Sequence, residues 1–293
     1  MLTECHAHFY MNGTDFPAAK ALHCKGPDEN WVRCTLMEYQ DSGIDFVRDG
    51  GDPFGVCELA KKLGPVYGIK VITPVFAIHK KGYYGGIVGK GFETMSEYIS
   101  LVKDAKKRGA DFIKIMTTGI MDFQTPTGLK GDSLPAEIVK EMVHIAHEEG
   151  MCVMSHTNGA EACRIAAEAG VDSLEHGNFQ NEESIRALAE NKTIWVPTVV
   201  TVKNLIGCGR FSDTVIKKIW EGILINMHHA RRYGVVLAPG SDAGAFMVPH
   251  AKGLMDEYQA FREIFPDEPD ICTFFAEGAK CIRTLFGRNS CGT

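Results

Sequence analysis

The sequence predicts a single (β/α)8 barrel, and three observations predict it. Apolar, β-branched runs of four to eight residues recur along the whole chain. Each is followed by a Gly-, Pro- or Asn-containing loop and then by a stretch with helical spacing, and the runs number eight, as a closed barrel needs. A doubly wound open sheet shares the alternation but needs fewer strands, and neither GxGxxG nor GxxxxGK[ST] follows the first run.

In order, the predicted strands are Leu2–His8, Ile44–Arg48, Lys70–Ile78, Asp111–Thr117, Met151–His156, Val171–His176, Thr193–Val199 and Val235–Gly240. Between them the spacing predicts helices such as Met95–Arg108 and Pro135–Glu149. The second opens on Ser133-Leu134-Pro135 with Glu137 in its first turn. Gly109, Gly150, Gly170 and Gly234 each stand after a helical run and before a strand, where a left-handed cap is wanted. Residues Gly82–Thr94 and Asp122–Asp132 read as long loops after strands three and four, which a barrel places at its catalytic face. No Pro/Ser-rich linker interrupts the pattern, so residues 1–293 are taken as one domain.

Composition narrows the function. With 45% apolar and 23% charged residues and no run approaching membrane-spanning length, the chain reads as globular with no membrane partner. The 31 Lys+Arg against 37 Asp+Glu leave a charge of -6, which disfavours nucleic-acid binding. Ten cysteines are scattered through apolar runs with no CxxC pair, and the start has no signal-peptide pattern. Both point to a reduced, cytoplasmic setting.

Polar residues collect at the ends of predicted strands: His6 and His8 on the first, Lys114 in the fourth, His156 on the fifth and His176 on the sixth, with Asp242 after the eighth. Residues two apart share a strand face, so His6 and His8 point the same way, and Lys114 faces the interior with Phe112 and Met116. Imidazole and carboxylate suit Zn²⁺ or a similar divalent ion. Four histidines and an aspartate exceed one catalytic ion's usual protein ligands, so two zinc ions per chain are expected, about 3.5–4 Å apart. Lys114, depressed by burial near cations, would bridge them as a carbamate. A lone strand-end histidine is more often structural, and Lys114 alone would read as a barrel residue paired with an acid. His144, His147, His228 and His229 fall on predicted helices and are read as structural. Glu4 is given a hydrogen-bonding role behind the ligands, and Cys5, of opposite parity to the histidine pair, a packing role against a helix.

These residues resemble the amidohydrolase superfamily. The match runs through His6-Ala7-His8, Lys114 within Phe-Ile-Lys-Ile-Met, Ser155-His156, Glu175-His176-Gly177 and Ser241-Asp242-Ala243-Gly244. The segments Gly43–Asp49 and Trp195–Thr198, together with His250, are similar to the imidazolonepropionase- and prolidase-like branch, and the likeness extends from Thr3 to about Phe286. It implies that His6, His8 and Asp242 hold one metal and His156 and His176 the other, with carbamylated Lys114 between them. That branch usually adds a small β-sandwich, which is not expected in this chain. The barrel flank it would cover is then expected to meet a second subunit, giving a homo-oligomer. Residues Ala77–Gly82 also depart from the branch's often Gly-rich sequence.

The expected activity is hydrolysis of an amide-type C–N bond in a small molecule by a metal-bridging hydroxide, with Asp242, Lys114 and His176 as the catalytic set. No GxSxG motif recommends a covalent route. His79, Tyr83, Lys203 and His250 follow strands and are expected to bind substrate, tilting the choice towards an anionic compound such as an N-acyl amino acid, a dipeptide or a cyclic ureide or imide. The alternatives are a mononuclear-metal deaminase of a nitrogen heterocycle, a lactone or phosphoester hydrolase, and a non-catalytic ligand-binding barrel.

Overall fold

The computed structural model describes residues 2–287. The chain begins with β1 (Leu2–Ala7), α1 (Phe16–His23), α2 (Glu29–Asp41), β2 (Ile44–Asp49), α3 (Val56–Leu63) and β3 (Lys70–Ile72). Next come β4 (Ala77–Lys80), β5 (Gly89–Phe92), α4 (Met95–Lys107), β6 (Ile113–Met116), β7 (Ile120–Asp122), β8 (Gly128–Lys130) and α5 (Ala136–Glu148). After them lie β9 (Val153–Thr157), α6 (Ala160–Glu168), β10 (Ser173–His176), α7 (Glu182–Glu190), β11 (Ile194–Val196), α8 (Val200–Lys203), α9 (Asp213–Tyr233), α10 (Lys252–Ile264) and α11 (Ile271–Phe286).

The helices form where spacing and caps agree. In α5, Val139, Met142, Val143 and Ala146 make a buried stripe at i, i+3, i+4 and i+7. In α4, Thr94 accepts a hydrogen bond from the Glu97 amide at the N-terminus, and Tyr98, Val102 and Ala105 are buried. The turns that return the chain to the sheet use glycine: Gly109, Gly150, Gly170 and Gly234 have φ of 86°, 73°, 86° and 70°. Among the described residues no helix is long and apolar enough to cross a membrane.

The fold is α/β with parallel strands. One sheet runs β1-β2-β3 and a second β11-β10-β9-β6-β4-β5, all parallel, while β7 and β8 form an antiparallel pair. Two of the predicted strands look different in the structure. The third splits into β3 and β4 because Pro74 has no N–H to give the ladder, and Val75 turns to φ 69°. The eighth, also interrupted by a proline (Pro239), makes isolated bridges instead of a continuous strand. Its backbone nonetheless lies between β11 and β1: Trp195 donates to the Val236 carbonyl (2.9 Å), Cys5 to Pro239 (3.0 Å), and Asp242 to His6 (2.8 Å). At the other join, Asp111 donates to the Thr73 carbonyl at 2.9 Å. The segments expected to be loops after strands three and four carry structure of their own, β5 in the first and most of the β7–β8 hairpin in the second.

Strands β1, β2, β3, β9 and β11 and the residue before β6 contribute to one buried apolar cluster: Cys5, Phe46, Ile72, Phe112, Met154 and Val196 lie together with Ile282 and Phe286 of α11. Cys5 is thus packed in this cluster, which α11 shares. Arg48, fully buried, stands over the cluster with its guanidinium 4.5 Å from the Phe286 ring centroid.

Candidate metal centre

Six side chains from distant parts of the sequence line one cavity of about 310 Å³: His6, His8, Lys114, His156, His176 and Asp242. They reach it from the C-terminal ends of β1, β9 and β10, from within β6 and from the segment that lies beside β1. The imidazole ring centroids of His6 and His8 are 5.4 Å apart, those of His6 and His176 5.0 Å, and those of His156 and His176 4.7 Å. Asp242 Oδ1 is 3.5 Å from His6 Nε2 and 3.6 Å from His8 Nε2. One ligand atom from each of these three residues lies within 4.8 Å of the others.

The donor set fits a divalent cation. His6 Nε2 and Lys114 Nζ are buried without a hydrogen-bond partner, a costly arrangement for two polar atoms unless something else meets them. Their opposite edges are fixed. His6 Nδ1 donates to Glu175 (2.8 Å), His8 Nδ1 to the Gly51 carbonyl (3.2 Å), and His176 Nδ1 pairs with Thr198 Oγ1 (2.8 Å). Each contact leaves Nε2 for the cavity. In His156 the roles are exchanged: Nε2 donates to the Gly119 carbonyl at 3.2 Å, leaving Nδ1. Burial pushes the imidazoles towards the neutral, ligating form, with His8 and His156 down to about 3 and His6 and His176 well below their usual value. Burial also depresses the Lys114 amine and raises the Asp242 carboxyl.

The backbone is bent to deliver these groups. His176, Thr198 and Asp242 have φ of 66°, 47° and 60°, a region that non-glycine residues rarely adopt and a β-branched threonine least of all. Glu257, fully buried, accepts hydrogen bonds from the amides of Val199 (3.0 Å) and Val200 (2.9 Å) and so fixes the turn that presents Thr198. Gly50 must lack a side chain, since a Cβ there would stand 2.4 Å from the His8 ring.

Behind His6 sits an ion pair that strand parity alone does not identify. Arg48 Nη2 donates to both oxygens of Glu175 at 2.8 and 3.0 Å, Nη1 to Ser173 Oγ at 2.8 Å, and Nε to the Cys5 carbonyl at 2.6 Å. Neither charged side chain is exposed. Glu4, expected to act behind the ligands, accepts from the His6 amide and from the Ser241 amide and hydroxyl, which ties β1 to the segment bearing Asp242.

The residues expected to bind substrate do not line this cavity. His250 is buried, its ring held between the Tyr39 hydroxyl (3.0 Å) and the Met11 carbonyl (2.8 Å). Lys203 turns outward to an ion pair with Glu263 over the Trp220 ring. His79 bonds the Lys80 carbonyl beneath the glycine loop, where a Cβ on Gly85 would stand 2.5 Å from it. Tyr83 is displaced by its neighbour: Tyr84 lines the cavity, 5.3 Å from the His156 ring. The lining residues missed by the sequence reading are mostly apolar, with Asn158, Asn178 and Arg210 among the polar ones.

No protein-family model matches the sequence. Among curated proteins, the chain is 26% identical over 193 residues to an uncharacterised protein of Mycobacterium tuberculosis (strain ATCC 25618 / H37Rv), covering 63% of this chain and 50% of that one. It is 24% identical over 280 residues to ochratoxinase of Aspergillus niger, covering 82% and 57%. The chain thus spans about half the length of the curated relatives it matches. Among solved structures, a Xaa-Pro dipeptidase with methionine bound in its active site aligns with a TM-score of 0.74 at 26% identity, covering 96% of this chain and 75% of that one. An amidohydrolase aligns at 0.73 and 21% identity, covering 99% and 77%. The fold matches that of the amidohydrolase superfamily.

Proposed function

We propose that this chain is a metal-dependent amidohydrolase that cleaves an amide-type C–N bond, on a parallel sheet closed into a (β/α)8 barrel by the segment between β11 and β1. One observation carries the reading: His6, His8, Lys114, His156, His176 and Asp242 share one cavity, with His6 Nε2 and Lys114 Nζ buried and unpartnered. His6, His8 and Asp242 would hold one ion and His156 and His176 a second. Lys114, which burial pushes down to about 8 so that part of the population carries a free amine, would add that amine to carbon dioxide, forming an N–C bond and releasing a proton, and the resulting carbamate would lie between them. Two divalent ions bound there supply Lewis acidity to a water and to the scissile carbonyl. Asp242 would accept a proton from the attacking water and return it to the departing nitrogen, so that the C–N bond would break as the new C–O bond is kept. Glu175, Gly51 and Thr198 hold the imidazoles so that no rotation is needed during the reaction.

A one-ion site is favoured by one observation, the compactness of the His6, His8 and Asp242 set. Metal counting of the purified protein together with a screen of amides and heterocycles decides between the two. Two ions per chain and amine release support the proposal, while one ion with ammonia release supports deamination. Asp242→Asn is expected to retain folding and to lose roughly 10²–10⁴-fold in turnover. Full activity in that variant would overturn the assignment.

A further inference from the structure

Two buried aspartates, Asp49 and Asp52, stand three residues apart where β2 ends, and their contacts differ. With Cys57 they bring one atom each within 4.8 Å of one another, in a cluster apart from the six residues above. Their donor atoms are already in use. Each of the four carboxylate oxygens accepts a backbone amide, and the Cys57 thiol donates to the Val75 carbonyl at 3.1 Å, so the cluster does not read as a cation site.

Asp52 faces a helix. Its Oδ1 accepts from the amides of Phe54 (2.6 Å) and Val56 (3.2 Å) and its Oδ2 from that of Cys57 (2.7 Å). It thereby caps α3, which begins after Gly55 and has no side-chain cap from that residue.

Asp49 faces His8 instead. The pairing of β1 with β2 ends at Ala7 and Asp49, and past it the amide of buried Phe9 donates to Asp49 Oδ2 at 2.8 Å. Asp49 Oδ1 accepts from the Gly51 amide at 2.6 Å, and the Gly51 carbonyl in turn holds His8 Nδ1 at 3.2 Å. One carboxylate thus grips both the residue that follows His8 and the residue that fixes its ring. The turn itself is two glycines, Gly50 and Gly51, the second at φ 88°, and without side chains their path depends on such contacts. An aspartate is needed because both of its oxygens accept. An asparagine has one acceptor oxygen, and its NH₂ group would face one of the two amides.

We propose that Asp49 is a positioning residue for His8: through the Phe9 amide and the Gly51 carbonyl it keeps His8 Nε2 turned to the cavity, and so sets the affinity for the ion that His8 holds without touching that ion. The proposal rests on the reading of the cavity as a metal centre. It separates Asp49 from Asp52, whose contribution is to the stability of α3.

The test compares the native protein with Asp49→Asn and Asp52→Asn, each with and without His8→Ala. Chelator competition gives the affinity for zinc, urea unfolding the stability, and ¹⁵N resonances of the metal-free protein the tautomer of His8. Both asparagine variants should be less stable. Asp49→Asn alone should bind zinc more weakly, by about tenfold, the lower end for groups that orient a ligating imidazole. In that variant His8, protonated on Nδ1 in the native protein, should populate both tautomers. With His8→Ala already present, Asp49→Asn should change the remaining affinity by less than about twofold. An equal loss of affinity in Asp52→Asn, a loss that persists undiminished without His8, or an unchanged tautomer in Asp49→Asn would overturn the proposal. Should Asp49→Asn not fold, the native protein still decides, since a His8 protonated on Nε2 would show that the Gly51 carbonyl does not hold it. If the native protein binds no divalent ion, the metal reading fails, while the tautomer comparison still tests the hold of Asp49 on His8.

Discussion

Replacing Glu175 by Gln separates two jobs that the carboxylate performs at once. One oxygen accepts from His6 Nδ1 at 2.8 Å, and both accept from Arg48, with every member of the triad buried. The amide keeps the shape and loses the charge. For metal binding, weakening a carboxylate that orients a ligating imidazole typically costs about 10–100-fold in affinity. For the metal-free fold, leaving Arg48 without its counter-charge costs about 3–5 kcal/mol, because a buried cation cannot recover its hydration. The remaining contacts of Arg48, to Ser173 and the Cys5 carbonyl, place this loss towards the lower end. Chelator competition measures the first quantity and urea unfolding of the metal-free protein the second. The decisive variant is the double Glu175→Gln, Arg48→Met, in which the stranded charge is gone. It should regain about 2 kcal/mol or more of metal-free stability without regaining metal affinity, since His6 still lacks its carboxylate. Metal affinity within twofold of the native protein in Glu175→Gln, or simple additivity of the two stability losses, would refute this account of the triad.

Three further outcomes follow from the same structure. Lys114→Ala should bind fewer ions than the native chain, with loading restored by short carboxylic acids; full loading without them would remove the bridging role. Chelation should lower the melting temperature, because an ion held by the native state alone stabilises it by mass action, about 2.7 kcal/mol at a hundredfold excess over Kd, and calorimetry with and without metal measures the shift. His147, on α5, bonds Asp172 at 2.9 Å, and this hydrogen bond raises its pKa above 6.5. A raised histidine contributes stability that is fully present below 6.5 and is lost as pH climbs through the folded value. His147→Ala should therefore be less stable than the native protein at about pH 6 and approach it at alkaline pH, by urea midpoints; a constant difference across that range would count against the pairing.

The convergence of these six side chains on one cavity was legible because strand parity and strand-end placement are properties of a few adjacent residues. His6, His8, Lys114, His156, His176 and Asp242 are each marked by a local pattern, and the alternating elements imply that strand ends meet. The other residues lining the cavity were not legible for the opposite reason. Whether His250 faces the cavity depends on Tyr39 and Met11, more than two hundred residues away in sequence, which fix its ring between two partners. Lys203 sits on the four-residue helix α8, and the position of Glu263 decides which way it turns. The difference between Tyr83 and Tyr84 is a single position in a loop whose path is set by close glycine contacts rather than by a repeating period. Strand boundaries erred where prolines lie: Pro74 and Pro239 both fall inside apolar runs, and hydropathy does not register a missing N–H.

Parity brings the four imidazoles to the cavity, but it does not choose which nitrogen each of them offers to it. His6, His8 and His176 each commit Nδ1 to a protein partner and present Nε2, whereas His156 commits Nε2 to the Gly119 carbonyl. Presentation through Nδ1 holds the bound atom closer to the backbone than presentation through Nε2. The exception therefore lies on β9, the strand between Lys114 on β6 and His176 on β10. Gly119 is held in turn by the β7–β8 hairpin: a Cβ on it would stand 1.8 Å from the Lys130 carbonyl oxygen, so only glycine lets the backbone pass close enough to offer its carbonyl to His156. A hairpin that contributes Ile120 and Met121 to the cavity wall thus also sets the orientation of the His156 ring, which couples the shape of the cavity to the arrangement of the imidazoles at its floor.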